Sequence, residues 1–287
     1  MPPLRITSCM APNMDNACRA LAAYIGDQVR MEVEFVKEIN WQERYRQLDA
    51  GDIQMAWICG APYVRRMDAA APNIELLVAP VWQGERYQNL PIYFSDVVVQ
   101  RDSAFQRFAD LCGATWVYNE PGSLSGYEVM RAHLVQLGLG ADFFGQVIAS
   151  GAHQQSLQMI VQQQADVAAI DSTVLEQVLR TQPELAEQIR IIDVIGPNPM
   201  PPWVITRTLP AEMRAAIRAV LTRMHEEIAG RTLLAQGSVA RFVPVVDTDY
   251  NAVRGILRES MQASEGAATL VTGSRPDRKK HLSGRSP

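Results

Sequence analysis

Excess basic charge is missing from this chain: 27 Lys and Arg stand against 31 Asp and Glu, a formal net charge of −4 at pH 7. With no basic stripe interleaved with aromatics, nothing points to a nucleic-acid partner. An anionic ligand would have to be held by local donors rather than by a global positive field. No stretch reaches the roughly 18 apolar residues that a membrane span needs. Cysteine is scarce: Cys9, Cys18, Cys59 and Cys112 are scattered and form no CxxC pair, which argues against a metal site. No Gly-rich nucleotide loop is present, so no cofactor is expected. Small buried thiols are the ordinary reading of the four cysteines. Cys9 and Cys59, however, fall at the ends of strands that can be neighbours in a parallel sheet, where a disulfide is geometrically conceivable. A secretory signal is also missing, because Met1–Ile6 reads directly into a strand with no charged segment leading an apolar one. The expected location is extracytoplasmic if an export signal was removed, and cytoplasmic otherwise.

What the chain does have is length and apolar content. Its 287 residues, 47% of them hydrophobic, suit two packed lobes better than one small domain. Short strands alternate with amphipathic segments: Leu4–Ser8, a stripe of Met14, Ala17, Leu21 and Ile25, then Met31–Val36, a helix carrying Trp41, Tyr45 and Leu48 to Gly51, Ile53–Cys59, a helix over Tyr63–Ala70, and Ile74–Val81. This β-α-β-α order predicts a mostly parallel sheet with helices on both faces. The strongly β run Ile92–Val99 is long enough to cross between lobes. The alternation then restarts, with strands at Thr115–Tyr118, Gln146–Ala149, Val167–Ile170 and Ile189–Ile195 and a helix over Gly126–Leu137 that turns Val129, Met130, Leu134 and Leu137 inward.

Gly196-Pro197-Asn198-Pro199-Met200-Pro201-Pro202 is too rich in proline for helix or central strand and reads as the return to the first lobe. Trp203–Thr206 is the returning strand. Pro210–Ile228 follows as one amphipathic helix with Met213, Ile217, Val220, Leu221, Met224 and Ile228 on one face. A last helix is expected from Tyr250 to Met261, and a disordered tail from residue 265 to 287. The expected organisation is a discontinuous first lobe of residues 1–95 plus 203–264 and a second lobe of residues 96–202. Two crossings make a hinge, and the cleft between α/β lobes, at the carboxyl ends of strands, is the expected ligand site.

Three loops carry chemistry. Asn119-Glu120-Pro121-Gly122-Ser123-Leu124-Ser125-Gly126 lies between a strand and a helix, where unpaired N–H groups, a glycine and hydroxyls suit an anion. Ser125 with Glu128 equally fits a capping box that only satisfies its own helix. Ser150-Gly151-Ala152-His153 occupies the same position one unit later, and its imidazole can donate to an oxyanion. Asp171 ends a third strand, as a ligand contact or as the cap of the helix that begins at Ser172.

In this order and spacing the residues resemble the PhnD-like phosphate, phosphite and phosphonate-binding proteins of ABC transporters. The resemblance spans residues 4–262 and rests on Gly51-Asp52-Ile53-Gln54-Met55-Ala56-Trp57 with Tyr63, Ser123-Leu124-Ser125-Gly126-Tyr127, Ser150-Gly151-Ala152-His153 and Ala165-Asp166-Val167-Ala168-Ala169-Ile170-Asp171. It implies a type II periplasmic-binding-protein fold and a small oxyanion in the cleft. It further implies an ABC permease as partner, a grip made by Ser123, Ser125, Gly126 and His153, a cleft-facing Tyr93, and an aromatic wall at Trp41 or Tyr45. Asp171 matches an acidic position that can meet a ligand amine or hydroxyl. Two positions depart from the family pattern. Leu124 stands where a hydroxyl residue is usual, and Asn198 stands where an acid is expected. With no Ser/His/Asp arrangement at motif spacing, an enzyme is not the first reading. A cytoplasmic enzyme or a ligand-sensing module on the same fold is the alternative.

Overall fold

The computed structural model describes residues 2–10 and 14–272; for residues 263–272 only the backbone is described. The strands are β1 (Leu4–Ser8), β2 (Val33–Val36), β3 (Met55–Trp57), β4 (Ile74–Trp82), β5 (Ile92–Gln100), β6 (Thr115–Tyr118), β7 (Gln146–Ala149), β8 (Val167–Asp171), β9 (Ile189–Pro199), β10 (Trp203–Thr206) and β11 (Val239–Val243). The helices are α1 (Asp15–Val29), α2 (Trp41–Ala50), α3 (Gly60–Met67), α4 (Val129–Gln136), α5 (His153–Val161), α6 (Ser172–Thr181), α7 (Ala211–Arg223), α8 (Ile228–Gln236) and α9 (Asn251–Thr272).

Two sheets form. One has the order β11-β4-β10-β3-β1-β2, and the other β7-β6-β8-β5-β9. In both, the units read from the α/β alternation pair in parallel: β1 with β2 and β3, and β6 with β7 and β8. The expectation of mostly parallel sheets needs correction, because β10 runs antiparallel to β3 and β4, β11 to β4, and β5 to β8 and β9. The reason lies in the connections. β5 and β10 arrive from the other sheet rather than through a crossover helix and insert in the opposite sense, whereas β9 and β11 follow β8 and β10 through helices and run with them, against β5 and β4.

The run Asp96–Val99 shows why the second half is layered. Val97 and Val99 pack with Trp116, Phe108 and Met130 on one face, while Val98 packs with Val117, Leu157 and Ile160 on the other. Side chains alternate across a strand, so a continuous apolar run is buried only if helices cover both faces. The first half has one large core around Ile6, Ile25, Leu48, Met55 and Trp203, with the rings of Trp57 and Trp203 stacked 5.8 Å apart. The proline-rich return is strand as far as Pro199, and β9 is an edge strand, where a missing ladder donor is tolerated.

Two expectations are corrected in the C-terminal region and one at the end of α4. The helix read over Pro210–Ile228 is two: α7 stops at Arg223, a 3-10 turn over Met224–Glu226 follows, and α8 begins at Ile228, which is 77% exposed. Pro210 precedes α7 as its N-cap. The disordered tail does not begin at residue 265, since α9 continues to Thr272; extending a formed helix through Ala-rich sequence costs little. Residues 273–287 lie outside the described residues. Leu137, expected inward, is 50% exposed at the end of α4.

Candidate functional site

Because β6, β7 and β8 are parallel, their carboxyl ends share one edge of the second sheet, and the loops after them open in one direction. Across from them lie the loops that leave β1 and β3 of the first sheet. Between the two sets is a cavity of about 240 Å³, lined by Ser123, Ser125, His153, Asp171, Tyr93 and Trp41, and by Cys9, Arg44, Cys59, Asn119 and Glu120 among others. Six of the residues singled out from sequence therefore meet at one place. Tyr45 does not reach it. It lines an adjoining outer space of about 440 Å³ that shares Cys9, Trp41, Cys59, Glu120 and Ser123 with the inner one. Tyr45 packs edge-on against Trp41 at 6.0 Å. Gly126 does not line either space. A Cβ there would lie 2.0 Å from Asn119 Oδ1 and 3.1 Å from His153 Cε1, so its role is to let two polar side chains pack against the backbone.

The serine loop folds differently from a simple helix start. Ser123 is the N-cap of a π-helical turn over Leu124–Glu128 that leads into α4. Its hydroxyl accepts from the Gly126 N–H at 3.4 Å and from Asn119 Nδ2 at 2.9 Å, so with both lone pairs engaged its proton is free to donate. The capping role read at Ser125 belongs to Ser123. Ser125 Oγ instead shares a 2.8 Å hydrogen bond with His153 Nε2. Ser125 and His153 thus reach the cavity as a hydrogen-bonded pair.

His153 is buried, and burial pushes its pKa down to about 4, so the ring is neutral at pH 7. Its Nδ1 is buried and has no partner, as is the Tyr93 hydroxyl. His153 also opens α5, whose N-cap is Ala152 and carries no side-chain cap. The first-turn N–H groups of a helix have no intrahelical acceptor, and the helix dipole adds partial positive charge there. The cavity edge thus holds backbone donors at the start of α5 that its own N-cap side chain does not satisfy.

Asp171 takes the capping role read for it. Its Oδ1 accepts from Thr173 N at 2.9 Å and Thr173 Oγ1 at 2.7 Å as the cap of α6, and it lines the cavity. Burial raises its pKa to about 6 against the opposing Thr173 hydrogen bonds. Burial also raises the Glu120 carboxyl. Asn198 is buried but donates to Ile195 O at 3.4 Å and is absent from the cavity wall.

Sequence reasoning missed Arg44. It sits one turn after Trp41 on α2, and that spacing was the available signal. Its guanidinium is committed to the carbonyls of Ser8, Lys37 and Ile39, so it brings charge to the wall without a free fork. Cys9 and Cys59 are free thiols on the same wall, and burial pushes the Cys9 pKa up to about 12 against Arg44 and Arg66. Among the described residues, no group of three or more His, Cys, Asp or Glu could hold a metal ion, and no helix is long and apolar enough to cross a membrane.

Residues 6–250 match the family described as ABC transporter, phosphonate, periplasmic substrate-binding protein. Among solved structures, the binding-protein component of an ABC phosphonate transporter from Pseudomonas aeruginosa superposes with a TM-score of 0.79 at 17% identity, over 94% of this chain and 93% of its own. PhnD1 of Prochlorococcus marinus, in complex with methylphosphonate, gives 0.78 at 16% identity over 89% and 97%. The aliphatic sulphonate binding protein SsuA of Escherichia coli gives 0.60 at 14% identity over 100% and 97%. These are likenesses of fold, and the fold is that of the type II periplasmic binding proteins.

Proposed function

Because this chain belongs to the periplasmic substrate-binding proteins of phosphonate ABC transporters, we propose that the cavity between its two sheets takes the oxyanion head of a phosphonate and that the chain hands it to an ABC permease. Its class is that of a solute-binding protein and not of an enzyme, and the family is extracytoplasmic. The observation that carries the site reading is the convergence of unsatisfied donors on one cavity wall: the free Ser123 proton, the uncapped start of α5, the His153 Nδ1 and the Tyr93 hydroxyl. In the bound state Ser125 donates to His153 Nε2, which places the ring proton on Nδ1 and makes it a donor to the ligand. Asp171 and Glu120, on the same wall, meet a hydroxyl or amine carried by the phosphonate's substituent, and Trp41 borders the exit toward the outer space. The two halves, residues 1–95 with 203–264 and residues 96–202, are the two lobes that enclose the ligand.

A thermal-shift panel of methylphosphonate, aminoethylphosphonate, phosphite, phosphate, sulfate and small carboxylates tests the reading. A ligand at 100 times its dissociation constant adds about 2.7 kcal/mol of stability. The phosphorus oxyanions should raise the melting temperature, aminoethylphosphonate more than methylphosphonate, and carboxylates should leave it unchanged. A panel in which no phosphorus oxyanion moves the transition rejects the proposal.

A further inference from the structure

Leu124 departs from the family pattern, and the structure shows where its side chain goes. It is fully buried, yet neither space of the ligand cavity includes it. It sits in the hydrophobic cluster of the first half, with Tyr63, Val64 and Val253. A Cβ on Gly60, the first residue of α3, would lie 3.2 Å from Leu124 Cδ2 and 3.4 Å from Val253 Cγ2. Four residues later on the π-helical turn, Glu128 is also buried and also points away from the cavity. Its Oε1 accepts from Arg65 Nη2 of α3 at 2.8 Å, and its Oε2 accepts from Ser260 Oγ of α9. One carboxylate oxygen is therefore held by α3 of the first half, and the other by α9, which covers α4 and β9 of the second sheet as well as touching α3. The helix α9 packs along both α3 and α4.

The turn thus sorts its residues by side. Ser123 and Ser125 line the cavity, while Leu124 and Glu128 anchor the same turn to α3 and α9. We propose that Leu124 and Glu128 are positioning residues that latch the oxyanion loop onto the first half before ligand arrives, so that the chain binds phosphonate from an already closed arrangement. This inference rests on the oxyanion loop being the ligand grip. A hydroxyl residue at position 124 could not enter an apolar cluster without leaving its O–H unpaired, so the departure from the family pattern exchanges a ligand donor for an anchor. A ligand's apparent dissociation constant is its intrinsic value divided by the fraction of molecules in the competent arrangement. The latch acts on that fraction and on no ligand contact.

The test uses the full chain, methylphosphonate as probe, small-angle scattering and calorimetric titration. For the wild type the ligand-free radius of gyration should match the value with saturating methylphosphonate. Leu124→Ser should enlarge the ligand-free form, recover the compact value on saturation, and raise the dissociation constant by about tenfold if the competent fraction falls to about a tenth. Leu124→Met should behave as wild type. Two further variants work from the other side of the contact and outside the loop: Gly60→Val, which wedges against Leu124 and Val253, and Arg65→Ala, which removes the ion-pair partner of the buried Glu128. Both should expand the ligand-free form even if Leu124→Ser fails to fold. Ligand-free compactness unchanged in Gly60→Val and Arg65→Ala would overturn the latch, as would a wild type that compacts only when methylphosphonate is added. If methylphosphonate does not bind the wild type, the ligand reading fails on the titration, while the ligand-free scattering of the variants still decides the latch.

Discussion

His153 and Asp171 lie on one cavity wall and are perturbed in opposite directions, which makes the acid response of this fold a sharp test of the site's electrostatics. Burial lowers the His153 pKa from 6.5 to about 4. Above pH 6.5 the ring is neutral folded or unfolded, and burial costs nothing. As pH falls from 6.5 to about 4, the unfolded chain takes a proton that the folded chain refuses, so stability is lost. One pKa unit is about 1.4 kcal/mol, and the loss is about 3 kcal/mol. Asp171 runs the other way, its pKa raised from 3.8 to about 6. As pH falls through 6 toward 3.8 the folded chain takes the proton first, and stability is gained by about 3 kcal/mol. The two windows overlap, so in the wild type they nearly cancel. His153→Gln should remove the loss and become more stable relative to wild type by about 3 kcal/mol between pH 7 and 4. Asp171→Asn keeps a side-chain oxygen to cap Thr173 N and should become less stable relative to wild type by about the same amount over the same range. Urea unfolding at half-unit pH steps gives the difference curves, in which the remaining carboxylates are common to all three proteins. Parallel curves for the two variants would show that neither group is held in the protonation state assigned to it.

Two further outcomes follow from the loop geometry. Ser123→Ala should weaken methylphosphonate binding by about 1–3 kcal/mol as a lost donor to a charged group and should also lower ligand-free stability by about 1 kcal/mol as a lost cap; Ser125→Ala leaves the buried His153 Nε2 unpaired, so it should weaken binding through the released imidazole and lower ligand-free stability by about 1–3 kcal/mol, and wild-type methylphosphonate affinity in either variant would contradict these roles. Gly126→Ala forces a Cβ to within 2.0 Å of Asn119 Oδ1, so Asn119 must leave its position against Ser123; the melting temperature should fall by the equivalent of about 1–3 kcal/mol and binding should be lost, and wild-type calorimetry would refute the packing role.

The sequence could be read furthest where its periodicity was regular. The parallel units β1 to β3 and β6 to β8 follow from plain alternation, and with them the rule that ligands gather at strand ends points to the loops of Ser123, His153 and Asp171, whereas Tyr93 and Trp41 rest on the family resemblance alone. The antiparallel insertion of β10 is not readable that way, because the direction of a strand returning from the other sheet is recorded by no local residue, and β11, which follows β10 through α7 and α8, inherits its direction. The break between α7 and α8 was missed because Met224 and Ile228 continue the apolar spacing of α7. Gly230 carried the signal: a Cβ there would lie 1.9 Å from Met224 O, so the chain folds back too tightly for any other residue. The π-helical turn hid the rest. In a regular helix start the two serines read as equivalent donors and Leu124 as a lost one, whereas the turn sends Leu124 to a core and gives Ser125 an imidazole partner.

The charge on the cavity wall argues for how such a chain would hold an anion. Arg44 is the one arginine or lysine among the residues lining the inner cavity, set against Asp171 and Glu120, and the whole chain carries −4. Its N–H groups are spent on three carbonyls, so it cannot grip an oxyanion in a bidentate fork. Recognition on the proposed reading falls to neutral dipoles: hydroxyl protons, an imidazole and the open end of α5. Fixed dipoles of this kind act only at contact. Long-range attraction would not speed encounter, and affinity would change little with added salt, because exposed charges separated by more than about 8 Å are already screened at physiological ionic strength. The two acids then serve selectivity. A bare oxyanion offers no donor to the half-buried Glu120 or to the Asp171 carboxylate beyond its Thr173 bonds, whereas a substituent bearing an amine or hydroxyl does, and satisfying a buried polar group is worth more than adding a contact at the surface.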